Sequence, residues 1–323
     1  MRMTSSGDHV IFNKTATLLF MIGLIFIFFA PVQACRYTVR ELGFCDLAAP
    51  PYRLYICHRL ELSPAQIEKL SRLVDSACSG SNLEVQWVGP DAEPPSLLHY
   101  RPAGHAGLPW AALTSPDSAR PAHVFTSRDD DLHAFASRTI QTVLRSPVRE
   151  TLLRHTPATH AAVLFFSGHN GQQNENALAR IQAALQQVEP VLPLMPKPAS
   201  RPPFFITMPF AERSQEAVLQ WSLGLDADEN PQAVILYGRG RRMGPILRGD
   251  SLTAEALYNL LLYVGADCEC EMDRSYLHGY LIPLPWPQAV RDRISKTLVF
   301  DTDNPIVKMD MLHIARIYSN RQD

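Results

Sequence analysis

The sequence lacks most of the signatures that announce an enzyme. It has no Gly-x-Ser-x-Gly elbow, no phosphate loop and no dinucleotide fingerprint. Its 11 histidines are scattered. His155 and His160 lie in a proline-broken stretch and His123 in an apolar strand, so no zinc-ligand spacing emerges. Positive charge is not in surplus: 30 Lys and Arg against 32 Asp and Glu leave a formal net charge of −2, which argues against a nucleic-acid partner. No repeat of solenoid period and no long low-complexity tract stands out. Glycine is modest at 16, and none of the 6 cysteines forms a Cys-x-x-Cys pair. Proline, by contrast, reaches 26 and clusters between periodic segments, where it stiffens connections. At 46% hydrophobic and 19% charged, the 323 residues can bury proper cores, enough for two ordinary domains after a leader.

The long apolar run sits at the start. Arg2 and Lys14 flank a polar beginning, and Ala16 to Ala30 then runs almost wholly apolar. That suits the core of a secretion signal and is short for a membrane span, which needs about 20 residues. Residues 1–34 are therefore expected to be a signal peptide or membrane anchor. Val32-Gln33-Ala34-Cys35 also resembles a bacterial lipoprotein box, with Val in place of the usual Leu and Gln33 bulkier than the favoured small residue. Lipidation of Cys35, plain cleavage and an uncleaved anchor all stay open. Each predicts an exported protein whose remainder faces the periplasm in the cell envelope, with the membrane as partner through the N-terminal segment or a lipid.

After a lead-in over 35–51, Tyr52–Cys57 reads as a buried strand. Ser63-Pro64-Ala65-Gln66 opens a helix down to Cys78, in capping-box order with proline in the first turn. Leu83–Val88 is a second strand, and a proline- and glycine-rich loop over 89–108 leads to strands at Trp110–Thr114 and Ala122–Thr126. A helix over about 130–145 closes the unit. The pattern then restarts: strand Ala161–Phe166, helix Asn174–Val188, strand Phe204–Met208, helix Glu212–Trp221, a hairpin around Gly238-Arg239-Gly240, and a helix over about 253–264.

Residues 160–265 resemble a thioredoxin-like domain. The resemblance is carried by Asn230-Pro231-Gln232-Ala233-Val234-Ile235-Leu236-Tyr237-Gly238-Arg239-Gly240 and the following Met243 to Asp250. It implies a cis peptide bond before Pro231. Residues 52–146 look like a looser copy, with Leu108-Pro109-Trp110 in the matching place, so Pro109 is a second cis-proline candidate. The fold expected is α/β, with two tandem thioredoxin-like domains, each a central mixed sheet flanked by helices. The divisions expected are a degenerate domain at 52–154, a second domain at 155–265 and a C-terminal extension at 266–323.

A working thioredoxin carries its dithiol after the first strand, at a helix N-terminus that lowers a thiol pKa. The first copy offers Cys57-His58-Arg59-Leu60 and the second Ser167-Gly168-His169-Asn170. Dithiol exchange at these positions is excluded, and no catalytic residue is assigned. Cys57 is left as a lone thiol, either reactive beside His58 and Arg59 or structural. The helix ending at Cys78 separates it from Cys57 by roughly 20 Å. The two cannot pair with each other, and Cys35 and Cys45 are the partners on offer. Cys268-Glu269-Cys270 is either a structural clip or a redox or soft-metal site for copper or zinc. Arg239, Arg241 and Arg242, with Arg248, predict a basic hairpin, either a solvated tip or a surface for lipid headgroups or an acidic partner. The expected function is a non-catalytic, envelope-anchored binding or scaffold protein without a cofactor, accessory to a membrane complex, with the tail after Tyr280 suited to docking. The alternative is a thiol–disulfide or metal-handling protein acting through Cys268 and Cys270.

Overall fold

The computed structural model describes residues 37–45, 50–59, 61–89, 95–103, 108–117, 120–128, 130–225, 230–267 and 281–309. Residues 1–36 fall in a separate unit, and Cys35, Cys268 and Cys270 lie outside the described residues. No described helix is long and apolar enough to cross a membrane.

From Tyr37 on, the fold is mixed α/β with two four-stranded mixed sheets flanked by helices. In the first, β1 (Tyr52–Cys57) pairs parallel with β2 (Leu83–Val88) and antiparallel with β3 (Trp110–Thr114), which pairs antiparallel with β4 (His123–Thr126). Parallel neighbours need a crossover, and α2 (Pro64–Cys78) supplies it. Its start is fixed by a capping box: Ser63 Oγ accepts from Gln66 N, and Gln66 Oε1 accepts from Ser63 N at 2.9 Å. Between β2 and β3 the described residues hold a four-residue helical turn, α3 (Pro95–Leu98). Helix α4 (Leu132–Leu144) closes the layer with Phe135, Ala136, Ile140 and Val143 against Leu54, Ile56 and Leu113.

The second sheet repeats that order. Strand β5 (Ala162–Phe166) pairs parallel with β6 (Phe204–Met208) and antiparallel with β7 (Gln232–Tyr237), which pairs antiparallel with β8 (Arg241–Arg248). All five residues of β5 are buried, as in a strand covered on both faces. The crossover α6 (Gly171–Val188) begins one turn earlier than its apolar periodicity suggests, because Asn170 caps it by accepting from Gln173 N at 3.2 Å. The expected helix at 212–221 is a 3₁₀ stretch over Phe210–Glu216 followed by α7 (Ala217–Leu223). Helix α8 (Ala254–Gly265) covers the sheet.

The expected cis bonds are corrected. Every described peptide bond is trans, including those before Pro231 and Pro109. Trans is the lower-energy X–Pro isomer by about 0.5–1 kcal/mol. Both prolines lead directly into their strands, where Gln232 already pairs with Phe166 and Trp110 with Cys57.

Two flanking segments complete the second core. Helix α1 (Val39–Phe44) is buried along its whole length, and Phe44 joins the apolar cluster of β5, β6 and β7. The tail after Tyr280 contributes the first part of its described residues to the core. Ile282, Leu284 and Trp286 pack in that same cluster, with Val290, Ile294 and Leu298 of α9 (Gln288–Leu298), because their apolar face is needed to cover the sheet. Helix α5 (Pro147–His155) lies in the stretch read as broken by prolines. It sends Val148 and Leu152 into the second core rather than the first.

Candidate functional site

The candidate thiol positions expected from the sequence lie at the ends of β1 and β5. Cys57 closes β1, with Val88 beside it on one neighbour and Trp110 on the other. It is buried with Leu97, Trp110 and Ala112. Helix α2 starts only at Pro64, behind the Ser63 cap, seven residues after Cys57. Burial pushes the Cys57 thiol up to about 11, against a smaller opposing pull from Arg101. Of the two readings of Cys57, its burial in this apolar cluster favours the structural one. Cys57, Cys78 and Cys45 are each free, so Cys57 and Cys78 are not paired with each other and neither is paired with Cys45. Cys45 is buried beside Arg239, Asp303 and Lys308 of the second half, where burial raises its thiol to about 12.

The end of β5 is built from polar side chains. Asn174, one turn into α6, holds the loop by accepting from Gly168 N at 2.7 Å and donating to Gly168 O at 3.0 Å. Ser167 N donates to Met208 O at 2.9 Å, which continues the ladder to β6. Buried Arg213 donates through Nε to Gln220 Oε1 at 2.9 Å, and Gln220 returns a bond to Arg213 O. Above it lies Phe210, its ring 5.7 Å from the Arg213 guanidinium carbon and 5.3 Å, edge-on, from the exposed His169. Phe210 is 40% exposed. This edge presents an aromatic pair on a hydrogen-bonded floor and holds no cysteine among the described residues, so it suits contact with another surface and has no thiol to attack a disulfide. Phe210, Arg213 and Gln220 carry no sequence signal, whereas Asn170 is a residue type that favours helix N-caps.

Alongside, a cavity of about 180 Å³ lies between α6 and the entry to β7, lined by Gln173, Asn176, Arg180, Asn230, Pro231 and Asp250 among others. No group of three or more His, Cys, Asp and Glu among the described residues could hold a metal ion.

The expected basic tip is also corrected. Arg241 is buried, Arg242 donates to Leu223 O at 2.7 Å, and Arg239 pairs with Asp303 at 3.2 Å. Their hairpin is a seam. Arg239 N donates to Gly43 O of α1 at 2.8 Å, and Ile282 N donates to Gly240 O at 3.1 Å.

No family model matches the chain, and no curated protein matches it in sequence. It is similar to several solved structures. ERdj5 in its crystal form II aligns at 11% identity and a TM-score of 0.23, over 66% of this chain and 27% of that one. The first two thioredoxin domains of Saccharomyces cerevisiae Eps1p align at 11% identity and 0.21, over 69% and 94%. Human ERp44 in its zinc-bound form aligns at 10% identity and 0.22, over 71% and 60%. The chain thus spans 27% of the length of ERdj5. Likeness at these scores carries no weight here, and the fold rests on strand order and pairing.

Proposed function

We propose that this chain is a non-catalytic binding or scaffold protein of two tandem thioredoxin-like domains, exported and held at the membrane with its body facing the periplasm. One observation carries the reading: both strand ends are built soundly and neither holds a usable thiol. Cys57 is sealed in an apolar cluster, and the end of β5 carries Ser167 beneath a rigid aromatic edge. Disulfide exchange needs an accessible thiolate and a second thiol to release the mixed disulfide. Packing and hydrogen bonding of this quality without the chemical group suit recognition, and the His169–Phe210 edge is the surface offered for it.

The rival reading assigns thiol–disulfide or copper- or zinc-handling chemistry to Cys268 and Cys270, which follow the bridge between Thr38 and Asp267. Turnover of insulin disulfides by the full-length chain separates the two. The proposal predicts a rate no higher than buffer. Robust turnover lost in Cys268→Ser with Cys270→Ser would contradict it in favour of the rival.

A further inference from the structure

The first sheet ends in a strand that is only half covered. Strand β4 is its outer member, after β2, β1 and β3. The start of β4 is held by α7: Trp221 Nε1 donates to Pro121 O at 2.9 Å, and the Trp221 ring lies 6.0 Å from that of His123. Its end is open. The register that sets Thr126 opposite Trp110 also sets Ser127 opposite Pro109, and Ser127 N donates to Pro109 O at 3.1 Å. Antiparallel neighbours alternate between bonded and unbonded pairs. Ser127, Phe125 and His123 therefore turn their backbone groups towards β3, while Val124 and Thr126 turn theirs outward. No described group bonds Val124 or Thr126 on that side. Unpaired backbone groups in a row are a template for another extended chain.

Beside the open edge runs a cleft of about 580 Å³ between β4 and α4. Its floor is apolar, with Phe125 and the buried Phe135. Its walls are hydroxyls and cations: Thr139 and Thr142 stand on α4, with exposed Arg138 one turn before Thr142 and exposed Arg128 just past the end of β4. No described carboxylate lines it. Helix α4 carries no acidic residue over its length. Of the described acids before α4, Asp131 caps the helix by accepting from Ala134 N at 2.9 Å, and with Asp130 and Lys69 it lines a separate cavity. Arg128 forms no ion pair with a described residue. A cationic cleft along an open strand edge is complementary to an acidic extended chain. A strand added there points every second side chain into the cleft, where a carboxylate on an apolar stem meets the floor and the guanidiniums together.

We propose that the open end of β4 binds an extended acidic segment of a partner protein, which joins the four-stranded sheet as a further strand and sets its carboxylates in the cleft against α4. This surface is separate from the His169–Phe210 edge and depends neither on export nor on the missing thiols. Backbone pairing holds the segment and the arginines select for acid, so binding weakens as salt rises.

The test measures binding of a labelled, end-blocked peptide of alternating threonine and glutamate, about eight residues long, to the full-length chain in non-ionic detergent. The proposal predicts saturable binding, with amide hydrogen exchange at Val124 and Thr126 slowed in the bound state. Binding should weaken by about tenfold or more when lysine replaces glutamate in the peptide, and when adjacent central residues of the peptide are N-methylated, which blocks both of its edges. The same loss is expected in Arg128→Glu and in Thr126→Pro. Proline at that position removes an outward N–H and leaves the pairing with β3 in place. If Thr126→Pro does not fold, the N-methylated peptide answers the same question. Absence of binding at low salt would overturn the proposal. So would binding that survives both N-methylation and Arg128→Glu. Self-association of the peptide-free chain with Val124 and Thr126 already protected would also overturn it, because a second copy would then hold the edge.

Discussion

Arg149 shows how one buried cation ties separate elements. Its guanidinium donates to the last carbonyls of α4, at Thr142, Val143 and Arg145, and reaches Pro283 of the C-terminal segment at 3.4 Å. The carboxylate of Glu216 faces it and accepts from Val148 N at 3.0 Å. Burial lowers the Arg149 pKa to about 10, which still leaves it charged at neutral pH. Replacing it by Met strands those carbonyls and an uncompensated carboxylate, so Arg149→Met is expected to cost about 3–5 kcal/mol in urea unfolding. His160 acts through pH. It is buried, donates through Nε2 to Leu261 O at 2.8 Å, and burial lowers its pKa to about 4. A base with a depressed folded pKa binds fewer protons folded than unfolded. Stability is therefore full above about pH 6.5 and is lost as pH falls towards 4, by about 2 kcal/mol at pH 5. Burial lowers His123 in the same direction. Urea midpoints measured from pH 7.5 to pH 5 should fall, and the slope should flatten in His160→Gln, whose amide keeps a donor for Leu261. An unchanged slope would remove His160 from the account.

Among the elements, α1 and the segment 281–286 do work their position in the sequence does not advertise. Helix α1 enters through a capping box between Thr38 and Glu41, with Thr38 N donating to Glu41 Oε2 at 2.7 Å. Its buried Arg40 donates to Thr159 O at 2.9 Å and Pro157 O at 2.8 Å. Gly43 then meets the Gly238 turn: a Cβ on Gly238, at φ +56°, would lie 2.1 Å from the Gly43 carbonyl carbon. Gly238→Ala is expected to destabilise the chain by more than about 2 kcal/mol, because strain and a backbone clash add; thermal unfolding checks it. The segment 281–286 joins both sheets. Tyr52 donates to Leu281 O at 2.6 Å, Trp286 N to Gly80 O at 2.9 Å, and Asn82 bonds both Ile282 O and Leu284 N. Strands and helices with strong local signals were legible: YRLYIC by alternation and burial, α2 by its capping box. The proline-rich stretch 282–287 and α1 carry no comparable local signal, because both are short and their partners lie far along the chain. Only the tertiary structure supplies the sheet face they cover.

At the scale of the whole molecule, the same order and sense of strands appears twice, β2-β1-β3-β4 and β6-β5-β7-β8. That repetition was legible from the restart of the strand–helix–strand pattern at Ala161, with the glycine turn at Gly238 as its best local marker. The seam was not. Arg239, Arg241 and Arg242 look like a solvated basic tip because charge is ordinarily outside. Here the hairpin is covered by α1 and by residues 281–286, and its guanidiniums bond carbonyls and Asp303 instead of water. The candidate site was half legible: the missing dithiol could be read directly, whereas the Phe210–Arg213–Gln220 platform depends on a 3₁₀ stretch that periodicity smooths into a helix. The central claim is that neither strand end can work on a disulfide. Timed alkylation of the native full-length chain, followed residue by residue by mass spectrometry and compared with the unfolded chain, tests it most directly. The account predicts that Cys57 stays unmodified in native conditions at pH 7 to 8, with Cys45 and Cys78, and that all three react once the chain unfolds. Rapid native modification of Cys57, with a rate that titrates near neutral pH, would contradict it.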